Sequence, residues 1–353
     1  MKRILALFAS PYQLLALNRI IDQYYPDDKV YLAVADTISK AEYLVEKAKA
    51  EERFSDVFLW KIKGRFSFSK PVKIINYLQG ERKSEVLTAG LPQIMEKWDM
   101  FLFANISQAV LHIGNVLLKN NPDIEINMFE DGFSTLSNYT GSFLNQGGLK
   151  GRMRGFFSNI NALYLFNPEL LDWKPSFEVR AVSKEFDENN KARLNRIFGY
   201  DELKDNYRKK LIFFEESYFA DGMNIDDVEI VEKIAEVVGK ENIMIKIHPR
   251  NPVNRFHKKG YHTNENTFIP WELIAMNEDF SDTVFVTMLS ASVMNAYFLL
   301  GKEVKSYIVY KCSKTPEAFY APILDLEVKC CRTRPDLFCI PEDFGELKDA
   351  LCR

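Results

Sequence analysis

Ile4-Leu5-Ala6-Leu7-Phe8-Ala9 followed by Ser10-Pro11-Tyr12-Gln13 is the stretch that sets the architecture. An unbroken apolar run of strand length, without polar alternation, suits a strand buried on both faces. Ser10 then stands as an N-cap, Pro11 takes the first helical position, and Gln13 completes a capping box, so a helix should run to about Tyr25. The cations Lys2 and Arg3 give the same segment a superficial likeness to a signal peptide, but its apolar run is short and Pro11 and Gln13 interrupt any continuation. A buried first strand is the better reading.

Val30 to Val34 reads as a second strand and Ser39 to Ala50 as a second helix. Met100 to Phe103 is a strand, Ser107 to Lys119 a helix, and Ile124 to Phe129 a strand that ends in Glu130-Asp131-Gly132. This alternation predicts an α/β fold with a parallel sheet. Met100 to Leu118 has membrane-spanning length, yet Asn105, Ser107, Gln108, His112 and Asn115 would each need a partner inside lipid, so strand plus helix is preferred. From residue 141 to about 210 the pattern weakens. Alternation resumes with strands at Leu211 to Phe214, Ile243 to Ile247, Thr283 to Thr287 and Val304 to Val309. Helices are expected at Asp226 to Val238, from Trp271, at Ser292 to Leu300, and finally at Pro341 to Leu351. The expected organisation is an N-terminal Rossmann-like domain over 1–175 with an irregular insertion at about 141–175, a linker over 176–209, and a second Rossmann-like domain over 210–353. Two such sheets in tandem imply a cleft between them, with ligands beyond the carboxyl ends of strands.

The chain has 353 residues, 46 Lys and Arg against 49 Asp and Glu, and 27 Phe with 16 Tyr. Its size favours two domains, its aromatic content excludes disorder, and its formal charge of -3 argues against a nucleic-acid partner. Five Cys, all late in the chain and without CxxC spacing, speak against disulfides and zinc and for a reducing cytoplasm.

Chemistry is expected at the strand ends. One member of Glu130-Asp131-Gly132 can meet substrate and act as general base, because strand side chains alternate; a solvated acidic turn explains the same letters. In Lys246-Ile247-His248-Pro249-Arg250, Lys246 and His248 point to one side and Arg250 can join them, which suits a phosphate. His248 can donate a proton to it or hold its charge, or simply bond a backbone carbonyl. Ser290-Ala291-Ser292 opens a helix and forms either an anion site or an ordinary N-cap. Glu272, in Pro270-Trp271-Glu272, either accepts ribose hydroxyls or complements a helix dipole. Neither GxGxxG nor GxxxxGK[ST] occurs, and no convincing DxD pair, so a metal-independent site without a cofactor is expected.

In this order Ser10-Pro11-Tyr12-Gln13, Phe129-Glu130-Asp131-Gly132, Lys246-Ile247-His248-Pro249-Arg250, Pro270-Trp271-Glu272 and Ser290-Ala291-Ser292 make the chain resemble bacterial sialyltransferases, above all glycosyltransferase family 52, the lipooligosaccharide sialyltransferases. The resemblance implies a GT-B fold and metal-independent, inverting transfer of sialic acid from CMP-sialic acid to a terminal galactose of a surface glycan, lipooligosaccharide or capsule. It gives the base role to Glu130 or Asp131, with Glu215 or Glu216 as the alternative base. It gives His248 the phosphate and leaving-group role, with Lys246, Pro249 and Arg250 nearby. Glu272 would hold the ribose, Ser290 and Ser292 the phosphate, and Ser10 and Gln13 would lie on the acceptor side. Ala291 departs from the expected pair of hydroxyls. His248 and the acid would then converge around a cytidylate.

Competing readings are a GT-B enzyme or epimerase using a UDP-sugar, and a noncatalytic glycan-binding protein of the same fold. Lys150 to Phe157 mixes three cations with Met153, Phe156 and Phe157, which suits peripheral contact with the inner face of the cytoplasmic membrane. A homodimer is compatible with the sequence.

Overall fold

In a computed structural model of the chain, residues 1–63, 90–145, 156, 158–223, 225–316 and 321–352 are described. They form two compact units, Met1–Gly199 and Tyr200–Arg353. Each unit is built on a fully parallel sheet.

The first sheet has seven strands: β1 Arg3–Phe8, β2 Lys29–Ala35, β3 Asp56–Trp60, β4 Met100–Phe103, β5 Glu125–Phe129, β6 Ile160–Leu165 and β7 Glu178–Ala181, in the order β3-β2-β1-β4-β5-β6-β7. The apolar run of β1 is buried from Ile4 to Phe8, as a central parallel strand requires. Helix α1, Pro11–Tyr24, starts where expected: the Ser10 hydroxyl accepts the Gln13 N–H at 3.3 Å. The Gln13 side chain, itself 1% exposed, accepts the N–H of Ala9 at 2.7 Å rather than that of Ser10, so the box is shifted by one residue. Helix α2 spans Ala41–Lys49 and α3 spans Gln108–Asn120, the latter capped by Ser107.

The region expected to be an insertion and linker is instead largely structural. β6 pairs with β5, and β7 pairs with β6, so residues 178–181 belong to the first sheet and not to a connection. Helix α4, Glu188–Phe198, capped by Asp187 and ended by Gly199 at φ 59°, packs back on α1: Arg193 and Asn190 both bond Asp22. The boundary between units therefore falls at Gly199/Tyr200. β7 escaped the pattern reading because Glu-Val-Arg-Ala on a sheet edge carries charges and no apolar run.

Of Lys150 to Phe157, only Phe156 lies within the described residues. Its ring is buried in the first unit, 5.6 Å from that of Phe103, where it fills the space a Cβ on Gly114 would need. Phe156 is core, not membrane-facing. Among the described residues no helix is long and apolar enough to cross a membrane.

The second sheet has six strands: β8 Leu211–Phe214, β9 Ile243–Lys246, β10 His262–Thr263, β11 Val284–Thr287, β12 Ser306–Ile308 and β13 Phe338–Cys339, in the order β10-β9-β8-β11-β12-β13. Around it lie α5 Asp227–Val238, α6 Trp271–Asn277, α7 Ser292–Phe298, α8 Ala321–Thr333 and α9 Phe344–Leu351. Ile230, Val231 and Ile234 of α5 and Leu347 of α9 close over Phe213, Ile245 and Val286 in one apolar core. In both sheets strand order reverses at the first strand of the unit, beside β1 and beside β8, and that reversal opens a crevice at the carboxyl edge of a doubly wound sheet.

Candidate active site

Two polar clusters occupy carboxyl strand ends, one in each unit.

In the first unit Glu130 and Asp131 follow directly on β5. Glu130 is 4% exposed; it accepts the phenol O–H of Tyr12 on one oxygen and the N–H of Phe166 at 2.7 Å on the other. Burial pushes its carboxyl up to about 7. Asp131 is half-buried and bonded by the side chains of Gln13 and Ser10; burial raises its pKa too. Asp131 borders a cavity of about 210 Å³, together with Asn105, Ile106, Ser134, Thr135 and Thr140. Ser10 and Gln13 are thus brought to Asp131. Tyr12 was not singled out from the sequence, although it sits inside the same four-residue motif.

Gly132 makes the exit possible. Its φ of 69° with ψ of -158° is a region that side chains disfavour. A Cβ there would meet nothing closer than Tyr12 at 4.0 Å, so the penalty of a substitution is backbone strain alone. Gly132→Ala is expected to destabilise the first unit by about 1–3 kcal/mol, measured by urea unfolding; a change under about 0.5 kcal/mol would contradict this strain.

In the second unit the ends of β8, β9 and β11 bring together Glu215, Glu216, Lys246, His248, Thr287 and Ser290. Lys246 is 8% exposed, and no ion pair or hydrogen bond holds its ammonium among the described residues. Burial lowers its pKa, opposed by the charges of Glu272, Asp205 and Glu215. Beside it His248 is half-buried, and burial together with the positive charges of Lys246 and Arg250 drives the imidazole down to about 4. Its Nδ1 accepts the N–H of Arg250 at 3.2 Å, so the proton of the neutral ring resides on Nε2. Pro249 disfavours the helical region for the preceding His248.

Arg250 turns away to other partners. Its guanidinium bonds Asp221 at 2.9 Å and Ser217 at 2.6 Å. Glu272, 5% exposed, accepts from the amide of Asn295 at 2.6 Å and feels the charge of Lys246; burial raises its pKa. Glu216 bonds Thr287 at 3.3 Å, and burial lifts it to about 7. Glu215 is wholly enclosed and salt-bridged to Arg255 at 2.9 Å. Thr287 accepts the N–H of Ser290 at 2.9 Å, and the Ser290 hydroxyl accepts that of Ser292 at 3.3 Å. The hydroxyl of Ser290 therefore already serves the start of α7, while Ala291 at the cap position makes no side-chain bond. Asn295 and Arg255 left no local signal in the sequence, since their partners lie 23 and 40 residues away.

Residues 4–309 match the sequence model of the alpha-2,8-polysialyltransferase family. The chain belongs to that family. The matched segment contains both strand-end clusters, so this alpha-2,8-polysialyltransferase family member carries its polar motifs within the region its relatives share. A bacterial sialyltransferase family is thereby shown, and with it a glycosyltransferase; family 52 is not the family matched. No curated protein gives a significant sequence match. Among solved structures, Phytolacca americana UGT2 complexed with UDP-2fluoro-glucose and pterostilbene is 10% identical with a TM-score of 0.53, over 99% of this chain and 89% of that one. CalG4, the calicheamicin glycosyltransferase, is 10% identical at 0.52 over 99% and 89%. Arabidopsis thaliana UGT89C1 complexed with UDP is 10% identical at 0.50 over the whole of both chains. At such identity the likeness speaks for the fold alone: a GT-B fold of two Rossmann-like units.

Proposed function

We propose that the protein transfers sialic acid from CMP-sialic acid to a sugar hydroxyl by a metal-independent inverting displacement. The observation that carries the reading is Lys246, a nearly buried ammonium without an ion-pair partner among the described residues, next to a neutral imidazole that offers an Nε2–H. A buried cation in that state is stabilised by an anion entering its pocket. The phosphodiester of CMP-sialic acid carries one charge, which one ammonium matches, whereas a diphosphate carries more and Arg250 is already engaged by Asp221. In the reaction an acceptor hydroxyl attacks the anomeric carbon, its proton passes to the Glu130/Asp131 pair, and the bond to the phosphate breaks. Charge developing on the departing CMP meets the Lys246 ammonium and the His248 Nε2–H, donors that stabilise it most in the transition state. Glu272, held by Asn295, is the ribose partner, and Ser290 with Ser292 lies at the phosphate end.

For the acceptor, the cavity beside Asp131 mixes the hydroxyl residues Ser134, Thr135 and Thr140 and the amide residue Asn105 with apolar Ala104, Ile106 and Met128, and has no cation among its described residues, which favours a neutral terminal sugar such as galactose on a lipooligosaccharide or capsule. A sialic acid terminus is the second reading, favoured by the family description. The setting that fits both is the cytoplasm, near lipid-linked acceptor. CMP is expected to raise the melting temperature more than UDP, and Lys246→Met to remove most of that rise, because a ligand binding only the folded state stabilises it. An equal or larger rise with UDP would point instead to a UDP-sugar enzyme. Linkage analysis of the product formed on galactose-terminated and sialyl-terminated oligosaccharides then distinguishes the acceptors.

A further inference from the structure

The backbone at His248 is held by a buried chain of charges that lies outside the ligand-facing residues. The His248 N–H donates to Glu215 Oε2 at 3.1 Å. The other oxygen of Glu215 accepts from Arg255 Nη2 at 2.9 Å, and Arg255 in turn grips Asp227 with two bonds of 2.9 and 2.5 Å. Glu215 is 3% exposed and Asp227, in the first turn of α5, 1%. The rings of Phe219 and Phe256 cover the guanidinium at 4.8 and 5.5 Å. Two enclosed carboxylates side by side repel unless a cation stands between them, and only a planar fork can bridge both. The preceding amide, Ile247 N–H, is fixed by Asn264 Oδ1 at 2.6 Å, so two consecutive amides are tied down.

We propose that Arg255, with Glu215 and Asp227, is a positioning residue: it holds the Glu215 carboxylate where it anchors the His248 amide, and thereby aims the Nε2–H at the substrate phosphate. The inference rests on the reading of His248 given above. It assigns Glu215 a holding role and not that of a base, because both of its oxygens are already engaged. The groups facing the imidazole are Lys246, Arg250 and Asp221, none of which belongs to this chain of charges. Removing Arg255 therefore acts on His248 through geometry.

The test compares Arg255→Met, Arg255→Lys and Glu215→Gln, each alone and with His248→Ala. Arg255→Met is expected to lower kcat by about 10- to 100-fold with KM little changed, as misplacement of a reacting group does. Arg255→Lys should be intermediate, and added guanidinium should restore part of the loss in Arg255→Met. In the His248→Ala background the same substitution should cost less than about threefold, since residues acting as one unit are not additive. Nitrogen NMR of the imidazole should show the Nε2–H form in the wild type and a mixture of forms in Arg255→Met. Should that variant fail to fold, Glu215→Gln, which preserves shape, carries the same two measurements. A strongly impaired His248→Ala combined with equal Arg255 effects in both backgrounds, or unchanged ring-nitrogen signals, would overturn this inference alone. Near-normal transfer by His248→Ala would overturn the reading of His248 beneath it, and the inference with it.

Discussion

His248→Ala is expected to lower kcat by about 10²- to 10⁴-fold, the range typical of a lost proton-transfer or charge-stabilising group. Its fold should stay intact, because the bond that anchors this position runs from the backbone N–H to Glu215 and survives the substitution. The environment defines the form in which the ring works. With the imidazole held near 4 and Nδ1 occupied, the free protein at neutral pH presents a neutral Nε2–H donor, not an imidazolium. In the proposed reaction a bound phosphate supplies the negative charge that favours protonation, so the ring can pass a proton to the leaving group. The pH dependence follows with a definite sign. His248 should impose no loss of kcat/KM between pH 5 and 8, whereas a free-enzyme imidazolium of ordinary pKa would give a fall near about 6.5. For stability, the unfolded chain takes up a proton below the ordinary pKa of 6.5 that the folded imidazole refuses until about 4. Stability is thus lost as pH falls through that window, and His248→Ala should remove this part of the acid sensitivity. Near-wild-type turnover of the variant, at any pH in the range, would take His248 out of the reaction.

Much of this was legible from the chain because parallel sheets write themselves in apolar runs. Leu211–Phe214 and Met100–Phe103 are buried throughout, and each appears in the sequence as an uninterrupted apolar tetrapeptide. The candidate motifs stood out for a related reason: Glu130-Asp131, His248 and Ser290 each follow such a run closely, so strand end and polar side chain are read together. β3 and β6 were not read as strands although Val57 to Trp60 and Ala162 to Leu165 are apolar runs; the other elements that escaped lack that signature. β7 is an edge strand with Glu178 exposed and Arg180 half-buried, and β10 and β13 are only two residues long. α8 was hidden by its own mixed face, where Asp325 is exposed and Glu327 is buried two residues later. What pattern could not supply at all were the partners. Arg250, read as a third cation for the phosphate, is drawn to Asp221 and Ser217, residues of a different loop. Arg255 and Asn295, which fix Glu215 and Glu272, meet them only through the fold. Local spacing reports what a side chain is next to in sequence, and these contacts depend on which strands become neighbours.

Neutralising the acidic pair of the first unit is the second large effect. The double variant Glu130→Gln/Asp131→Asn is expected to lose about 10²- to 10⁴-fold in kcat, since the proposed reaction needs a carboxylate at that strand end to take the acceptor proton. Of the single changes, Asp131→Asn should lose the larger share, because Asp131 borders the cavity while both oxygens of Glu130 are engaged by Tyr12 and Phe166. A greater loss in Glu130→Gln would transfer the proton to that residue, and retained transfer in the double variant would remove the pair from the mechanism. Glu130 also has a signature independent of activity. Its pKa is raised from 4.5 to about 7 by burial, so between those values the folded chain holds a proton that the unfolded chain has released. Stability contributed by this group is present at low pH and is lost as pH rises through about 7. Gln is the neutral isostere of the protonated acid and can still accept the Phe166 N–H while donating to the Tyr12 oxygen. Glu130→Gln should therefore unfold at a higher temperature than the wild type at pH 8 and at nearly the same temperature at pH 5. The opposite order would mean that the carboxylate is ionised in the folded protein at neutral pH, and that Tyr12 and Phe166 hold it as an anion.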